Sequence, residues 1–219
     1  DTCVNAGDSL NFQVTATDPD GDIVTLSATG SPFLQDVSPA IMTPDNPVTG
    51  NINAIGKFKW KTECSHVLKN PHPVYFKAID HDPQVTLSSY KTLYIKVVGP
   101  APQNPMAVPL GNSILLSWEQ NNCENVKGYN IYRKKSFFGF IPAHCEIGVP
   151  EYTGYTKIAQ VDGISNLSYT DDGDGNGLVH GIQYCYMITA IYPDGVEGYA
   201  TEEVCALLKR DLPIITNVS

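Results

Sequence analysis

Between Gly111 and Ala190 the chain carries three short stretches in which apolar and polar residues take turns: Ser113-Ile-Leu-Leu-Ser-Trp118-Glu, Gly128-Tyr-Asn-Ile-Tyr-Arg133 and Gly181-Ile-Gln-Tyr184-Cys-Tyr-Met-Ile-Thr-Ala190. Each has an aromatic on the alternating face, and turn residues separate them. A period of two places successive side chains on opposite faces, so these stretches predict strands half-buried in an antiparallel sandwich. The first hundred residues repeat the pattern in Leu10 to Ala16, Ile23 to Ala28, Lys57 to Trp60, Val74 to Ile79 and Thr92 to Val97. No long window sustains a helical period, so helix content is expected to be low.

The 219 residues suit one large domain or two of about 100, and two is the better fit for sandwiches. With 18 glycines, 16 prolines and 17% charged residues, short strands and many turns are favoured over helices. The net charge of −9 and scattered basic residues argue against a nucleic-acid groove, which needs clustered Lys and Arg. Six cysteines, none in a CxxC pair, favour a disulfide framework in an exported, extracellular or cell-surface protein over a metal site. No apolar run approaches the ~20 residues of a membrane span, so membrane insertion is not expected. The chain reads as a monomeric piece of a longer exported protein, because Asp1 opens no signal peptide.

Val98-Gly-Pro-Ala-Pro-Gln-Asn-Pro105 is the Pro-dense stretch near the middle. Proline removes a donor and fixes φ, which suits an inter-domain connector or an edge strand. The expected division is therefore 1–99, 100–208 and a linker over 209–219 that enters a further domain.

Two resemblances follow from these residues. The first module, with Ala6-Gly-Asp-Ser-Leu, Ala16-Thr-Asp-Pro-Asp-Gly-Asp22, Gly56-Lys-Phe-Lys-Trp60 and Tyr75-Phe-Lys-Ala-Ile-Asp80, resembles cadherin-like and related Ig-like repeats of bacterial surface proteins. The second resembles a fibronectin type III domain: Ser-x-x-Leu-x-Trp118, Tyr129-x-Ile-Tyr132, then Gly181-x-x-Tyr184-x-Tyr-x-Ile-x-Ala190. It departs from that pattern in an unusually long connection from Lys135 to Tyr155. The fold implied is all-β, two tandem antiparallel β-sandwiches, Ig-like or cadherin-like followed by fibronectin type III. Together they resemble tandem repeats of large secreted adhesins of Bacteroidetes. Tyr184 falls on the tyrosine-corner position of such sandwiches, where the hydroxyl bonds a backbone group.

Strands flanking Pro193-Asp194-Gly195 should form a hairpin in which opposed residues have numbers summing to about 390. Cys185 would then face Cys205 closely enough to bridge. Within the second module that leaves Cys123 for Cys145, and Cys3 for Cys64 in the first; pairing across modules stays open.

Three places carry candidate chemistry. Asp18, Asp20 and Asp22 on one turn and Asp80 and Asp82 on another would share one end of an Ig-type sandwich, where five carboxylates suit Ca²⁺. Equally, Asp-Pro-Asp-Gly-Asp is good turn chemistry. Asp172-Gly-Asp174-Gly-Asn176-Gly177 matches the first positions of a calcium loop, but Gln183 stands where a bidentate Glu belongs. Phe137, Phe138 and Phe140 make an apolar cluster that either binds a partner or glycan or folds over the sandwich edge. The five histidines have no metal-ligand spacing among themselves, and those of the second module are expected at the surface. No Gly-x-Ser-x-Gly, HExxH or phosphate loop occurs, so catalysis is not expected. The function expected is a non-catalytic structural and adhesive spacer. Its partners would be neighbouring domains of the same polypeptide, surface proteins or glycans. Alternatives are a carbohydrate-binding accessory module of a polysaccharide-degrading or uptake system, and a non-catalytic segment of an enzyme.

Overall fold

A computed structural model describes residues 1–209; Arg210 to Ser219, which make up nearly all of the expected linker, lie outside the described residues. The chain divides into two compact units, Asp1–Gly99 and a second that starts at Pro100. Both are β-sandwiches.

The first unit contains β1 (Thr2–Asn5), β2 (Ser9–Thr17), β3 (Ile23–Gly30), β4 (Ile41–Thr43), β5 (Val48–Asn51), β6 (Asn53–Lys61), β7 (His72–Asp80) and β8 (Ser88–Val98). One sheet has the order β1-β8-β7-β3-β5 and the other β2-β6-β4. All pairings are antiparallel except β1 with β8, which run parallel from Thr2↔Ile95 to Asn5↔Val98. The alternation in β6 is strict: Ala54, Phe58 and Trp60 are buried while Lys57, Lys59 and Lys61 face water. Leu26, Val74 and Ile95 close the core from the opposite sheet.

Two histidines of the first unit belong to its core. His66 and His72 are buried against Trp60, with ring centroids 5.0 and 5.1 Å from it. A buried imidazole must have both nitrogens satisfied. His66 Nδ1 accepts from the Glu63 amide at 2.9 Å, which leaves Nε2–H to donate to the Val37 carbonyl at 2.9 Å. His72 Nε2–H donates to the His66 carbonyl at 2.8 Å, and Nδ1 accepts from the Ser31 hydroxyl at 3.2 Å. The two rings are core residues that rivet the 62–72 connection to the sandwich.

The second unit contains β9 (Gln103–Leu110), β10 (Ser113–Glu119), β11 (Gly128–Lys135), β12 (Thr156–Asp162), β13 (Ser168–Asp171), β14 (Gln183–Ile191), β15 (Glu197–Ala200) and β16 (Val204–Leu207). Its sheets are β13-β10-β9 and β12-β11-β14-β15, with β16 also paired to β14. This is a fibronectin type III-like arrangement. The Pro-dense stretch supplies both a connector and an edge strand, since among the described residues β9 pairs with β10 alone. Trp118 stands edge-on to Tyr129 at 5.2 Å in the core, where Ile114, Leu116, Ile131, Tyr186 and Ile188 are also buried. The Tyr184 hydroxyl accepts from the Val179 amide at 3.1 Å.

β14 is buried on both faces, not one. Tyr184, Tyr186 and Ile188 face the opposing sheet, while Cys185 and Met187 point outward and are nonetheless fully covered. The cover is the long connection between β11 and β12. Phe140 and Tyr155 pack on Cys185, Met187 and Ala200, with Tyr132 and Val149 at the margin. A second small core therefore sits outside the sandwich.

Candidate functional site

Cys185 and Cys205 are directly opposed in the β14–β16 ladder and bridged. The hairpin is less regular than a single register: Thr189 faces Ala200 and Ile191 faces Glu197 before the β15–β16 break restores Cys185↔Cys205. Cys3, Cys64, Cys123 and Cys145 are also disulfide-bonded, and none of the six is free. Glu203 lies beside the two sulfurs of Cys185 and Cys205, but both are consumed by the bridge, so these three do not make a metal site.

The loop after β11 is built around the Glu203 carboxylate. The amides of Phe138 and Gly139 each donate to it at 2.7 Å and that of Phe140 at 3.2 Å. The Tyr155 hydroxyl donates a further short bond. Gly139 takes φ of 81°, a backbone state that costs glycine little and lets successive amides turn toward one acceptor. Partial burial alone would raise the Glu203 pKa; the Tyr155 hydroxyl and the three amides overcome that and hold it below the usual value. Burial and the same carboxylate push the Tyr155 phenol far up. On the other side Lys134 donates to the Thr153 carbonyl at 2.5 Å and lies 4.3 Å over the Phe138 ring.

The three phenylalanines thus separate by role. Phe140 is core, whereas Phe137, Phe138, Ile141 and Tyr152 stay exposed around it. Phe138 and Tyr152 have centroids 6.4 Å apart but are tilted by 51°, so they form no flat platform.

Asp18, Asp20, Asp22, Asp80 and Asp82 do approach one another. The Asp22 carboxyl is pushed up by burial and by the negative charges of Asp82, Asp18, Asp80 and Asp20, in that order. Three of the five are already engaged. One Asp18 oxygen accepts from the amides of Asp20, Gly21 and Asp22 at 2.9 to 3.2 Å. Asp80 accepts from the Leu87 amide at 2.6 Å, and Asp82 from those of Gln84 and Val85 at 2.5 and 2.9 Å. These bonds are turn chemistry. They leave each of the three with one oxygen not spent in this way.

In the second acidic run Asp172 accepts from the Gly175 amide at 3.0 Å, Asp174 takes φ of 58°, and the Asn176 side chain donates to the Gly173 and Asp174 carbonyls at 3.4 Å. Gln183 lies in β14 opposite Leu207, so the ligand expected at that position belongs to a strand. The residue with the strongest partners is one the sequence pattern passes over. Asp171 is buried, takes Arg133 Nη1 at 2.8 and 2.9 Å, and accepts from the Tyr186 hydroxyl at 2.8 Å and the Gly173 amide at 3.1 Å.

No helix among the described residues is long and apolar enough to cross a membrane. No family model and no curated protein matches the chain. Among solved structures, a Fn3-like protein from Clostridium thermocellum is 30% identical over 52% of this chain and 100% of its own, with a TM-score of 0.32. A two-domain fibronectin type III segment of chicken tenascin is 13% identical over 93% of this chain and 95% of its own, TM-score 0.37. The pectate lyase Pel3 from Pectobacterium carotovorum is 18% identical over 49% of this chain and 27% of its own, TM-score 0.33.

Proposed function

We propose that this chain is a non-catalytic structural and adhesive segment of a large exported surface protein, two sandwiches that hold and present neighbouring parts of the same polypeptide. The observation that carries this is how the chemically capable residues are spent. His66 and His72 are core, Asp171 pairs with Arg133, Glu203 and Tyr155 pin a loop, and all six cysteines are bridged. Disulfides at this density fit an oxidising compartment. The cadherin-like character of the first unit and the bacterial adhesin setting belong to this proposal.

The test is direct. The oxidised chain is incubated with a panel of polysaccharides and peptides, and reducing ends and free amines are measured alongside adhesion of chain-coated beads to cells. Adhesion without product release is expected. Release of sugar or peptide product that survives repurification would overturn the spacer.

A further inference from the structure

The first unit has an outward sheet face that differs in chemistry from the rest of this acidic chain. Of the residues in β1, β3, β5, β7 and β8, only Asp80, at the end of β7, is a carboxylate. Asp1 borders the same sheet at the groove it lines with Thr2, Pro71, Tyr94 and Lys96. Between those two ends the face carries aromatic rings, hydroxyls and lysine. In a chain with 23 acids and 14 bases, that is a strong local departure.

Register places the rings. Tyr75 in β7 is opposite Thr92 in β8, Lys77 is opposite Tyr90, and Pro73 is opposite Tyr94. Tyr90, Thr92 and Tyr94 share one face of β8 because side chains alternate, and their partners Lys77, Tyr75 and Pro73 share it across the ladder. The buried residues of these strands, Val74, Phe76, Ile95 and Val97, occupy the other face. Tyr90 and Tyr94 are then about 14 Å apart along the strand. Tyr75 sits between them, about 7–8 Å diagonally from each. All three rings are open to solvent, at 47% for Tyr75, 66% for Tyr90 and 44% for Tyr94. Lys77 lies 5.4 Å from the Tyr90 ring centre. Lys96, bonded to the Leu68 and Lys69 carbonyls, adds a second positive charge on the same side. Thr29 of β3 continues the hydroxyl row beside Tyr75.

We infer that this face binds an extended acidic polysaccharide, with Tyr75, Tyr90 and Tyr94 under separate sugar rings of one chain and Lys77 against a uronate carboxylate. A pyranose offers an apolar C–H face that covers a phenol ring, and its hydroxyls find donors in the tyrosine and threonine hydroxyls. Tyrosine contributes large contact area with few torsions to freeze. The charge pattern selects the class: a polyanion meets Lys77 over Tyr90, between the bordering carboxylates of Asp1 and Asp80, whereas it is repelled by the acidic turns. A zigzag of three rings on a strand pair requires an extended ligand, not a single sugar. The face lies apart from the Phe137–Phe140 loop and does not depend on the spacer role.

Affinity electrophoresis through gels containing polygalacturonate, with neutral dextran as the comparison, tests this on the whole oxidised chain. Retardation by polygalacturonate and not by dextran is expected. Tyr75→Ala, Tyr90→Ala and Tyr94→Ala, all at exposed positions, should each weaken retardation roughly two- to tenfold. Lys77→Gln should weaken it and flatten its dependence on salt. Phe137→Ser with Phe138→Ser should leave it unchanged. No retardation by polygalacturonate, equal retardation by dextran, or a triple tyrosine variant as strongly retarded as the parent would each overturn the proposal, as would loss confined to the Phe137/Phe138 variant. Unaltered melting of each variant confirms that the fold is intact.

Discussion

At the scale of single residues, the buried polar groups decide what each substitution costs. Asp171 is a carboxylate enclosed with Arg133, Tyr186 and the Gly173 amide. Removing it strands a guanidinium that is three-quarters covered, and breaking such a pair costs about 3–5 kcal/mol. Asp171→Ala is therefore expected to lower stability to denaturant by about 3 kcal/mol, toward the bottom of that range because Arg133 keeps some solvent. Asp172→Ala, one residue on, loses a single exposed turn bond and about 0.5–1 kcal/mol. Equal effects would show that the buried pair is no anchor. His72 gives a pH test. Burial is the largest influence on it and holds its pKa below the ordinary 6.5, despite the opposing bond to the His66 carbonyl. A folded state that prefers the neutral ring is fully favoured above the unfolded value and loses stability as pH falls below about 6.5 toward the folded value. The melting point of the chain should decline between about pH 7.5 and about 5.5, and His72→Gln, destabilised at neutral pH, should decline less. A parallel decline in both would remove His72 as the cause.

At the scale of elements, the strands were largely readable, and the covering layer only as one of two readings of the Phe137–Phe140 cluster. Alternation located β2, β3, β6, β7, β8, β10, β11 and β14 because one side of each meets a core. β4 and β5 are three and four residues long, too short for a period to register, and β1 is held by a parallel partner ninety-odd positions away. The five-carboxylate turns and the Cys185–Cys205 register were visible because turn residues fix which positions oppose. Burial of His66 and His72 was hidden, since nothing local says that a connection folds back on Trp60. The only cue was Glu63 three residues before His66, the spacing of a capping box. In the second unit, the outward side of β14 looked solvent-facing because its cover, Phe140 and Tyr155, comes from an insertion with no periodicity of its own. That layer predicts its own failure. The Cys185–Cys205 bridge closes a span of 20 residues, worth about 3 kcal/mol in chain entropy. Cys185→Ala with Cys205→Ala should cost about that much. It should also make residues 136–150 sensitive to limited proteolysis before the sandwich itself unfolds, because Phe140 loses part of the surface it packs on. Simultaneous loss of both would mean that the insertion and the sandwich unfold together. Non-reducing peptide mapping of the parent should recover Cys185 joined to Cys205 and no free thiol. Fragments carrying Cys3, Cys64, Cys123 and Cys145 report whether the remaining staples stay within a unit or join the two.

Across the whole molecule, charge is unevenly distributed, and the net −9 is not an even coat. In the first unit the carboxylates of Asp18, Asp20, Asp22, Asp80 and Asp82 gather at one end of the sandwich, next to the Ser88 end of the tyrosine-bearing sheet. Asp22 bears the cost: its pKa is raised by slight burial and by the four surrounding charges, so the folded state disfavours its ionised form. A group with a raised folded pKa adds stability below the unfolded value and loses it as pH rises through the folded one. At neutral pH, Asp22→Asn is therefore expected to raise the melting point of the first unit, modestly because the site is open to water and salt. A cation would provide the same relief. In about 5 mM calcium, above the ~10⁻⁴–10⁻³ M dissociation constants of extracellular modules, the parent should melt higher than in EDTA. The gain should shrink in Asp22→Asn and vanish with Asp20→Asn added. A gain that persists in the double variant would place the ion on Asp172 and Asp174 instead. No gain in the parent would mean that the oxygens of Asp18, Asp80 and Asp82 not bonded to turn amides diverge too far to share an ion.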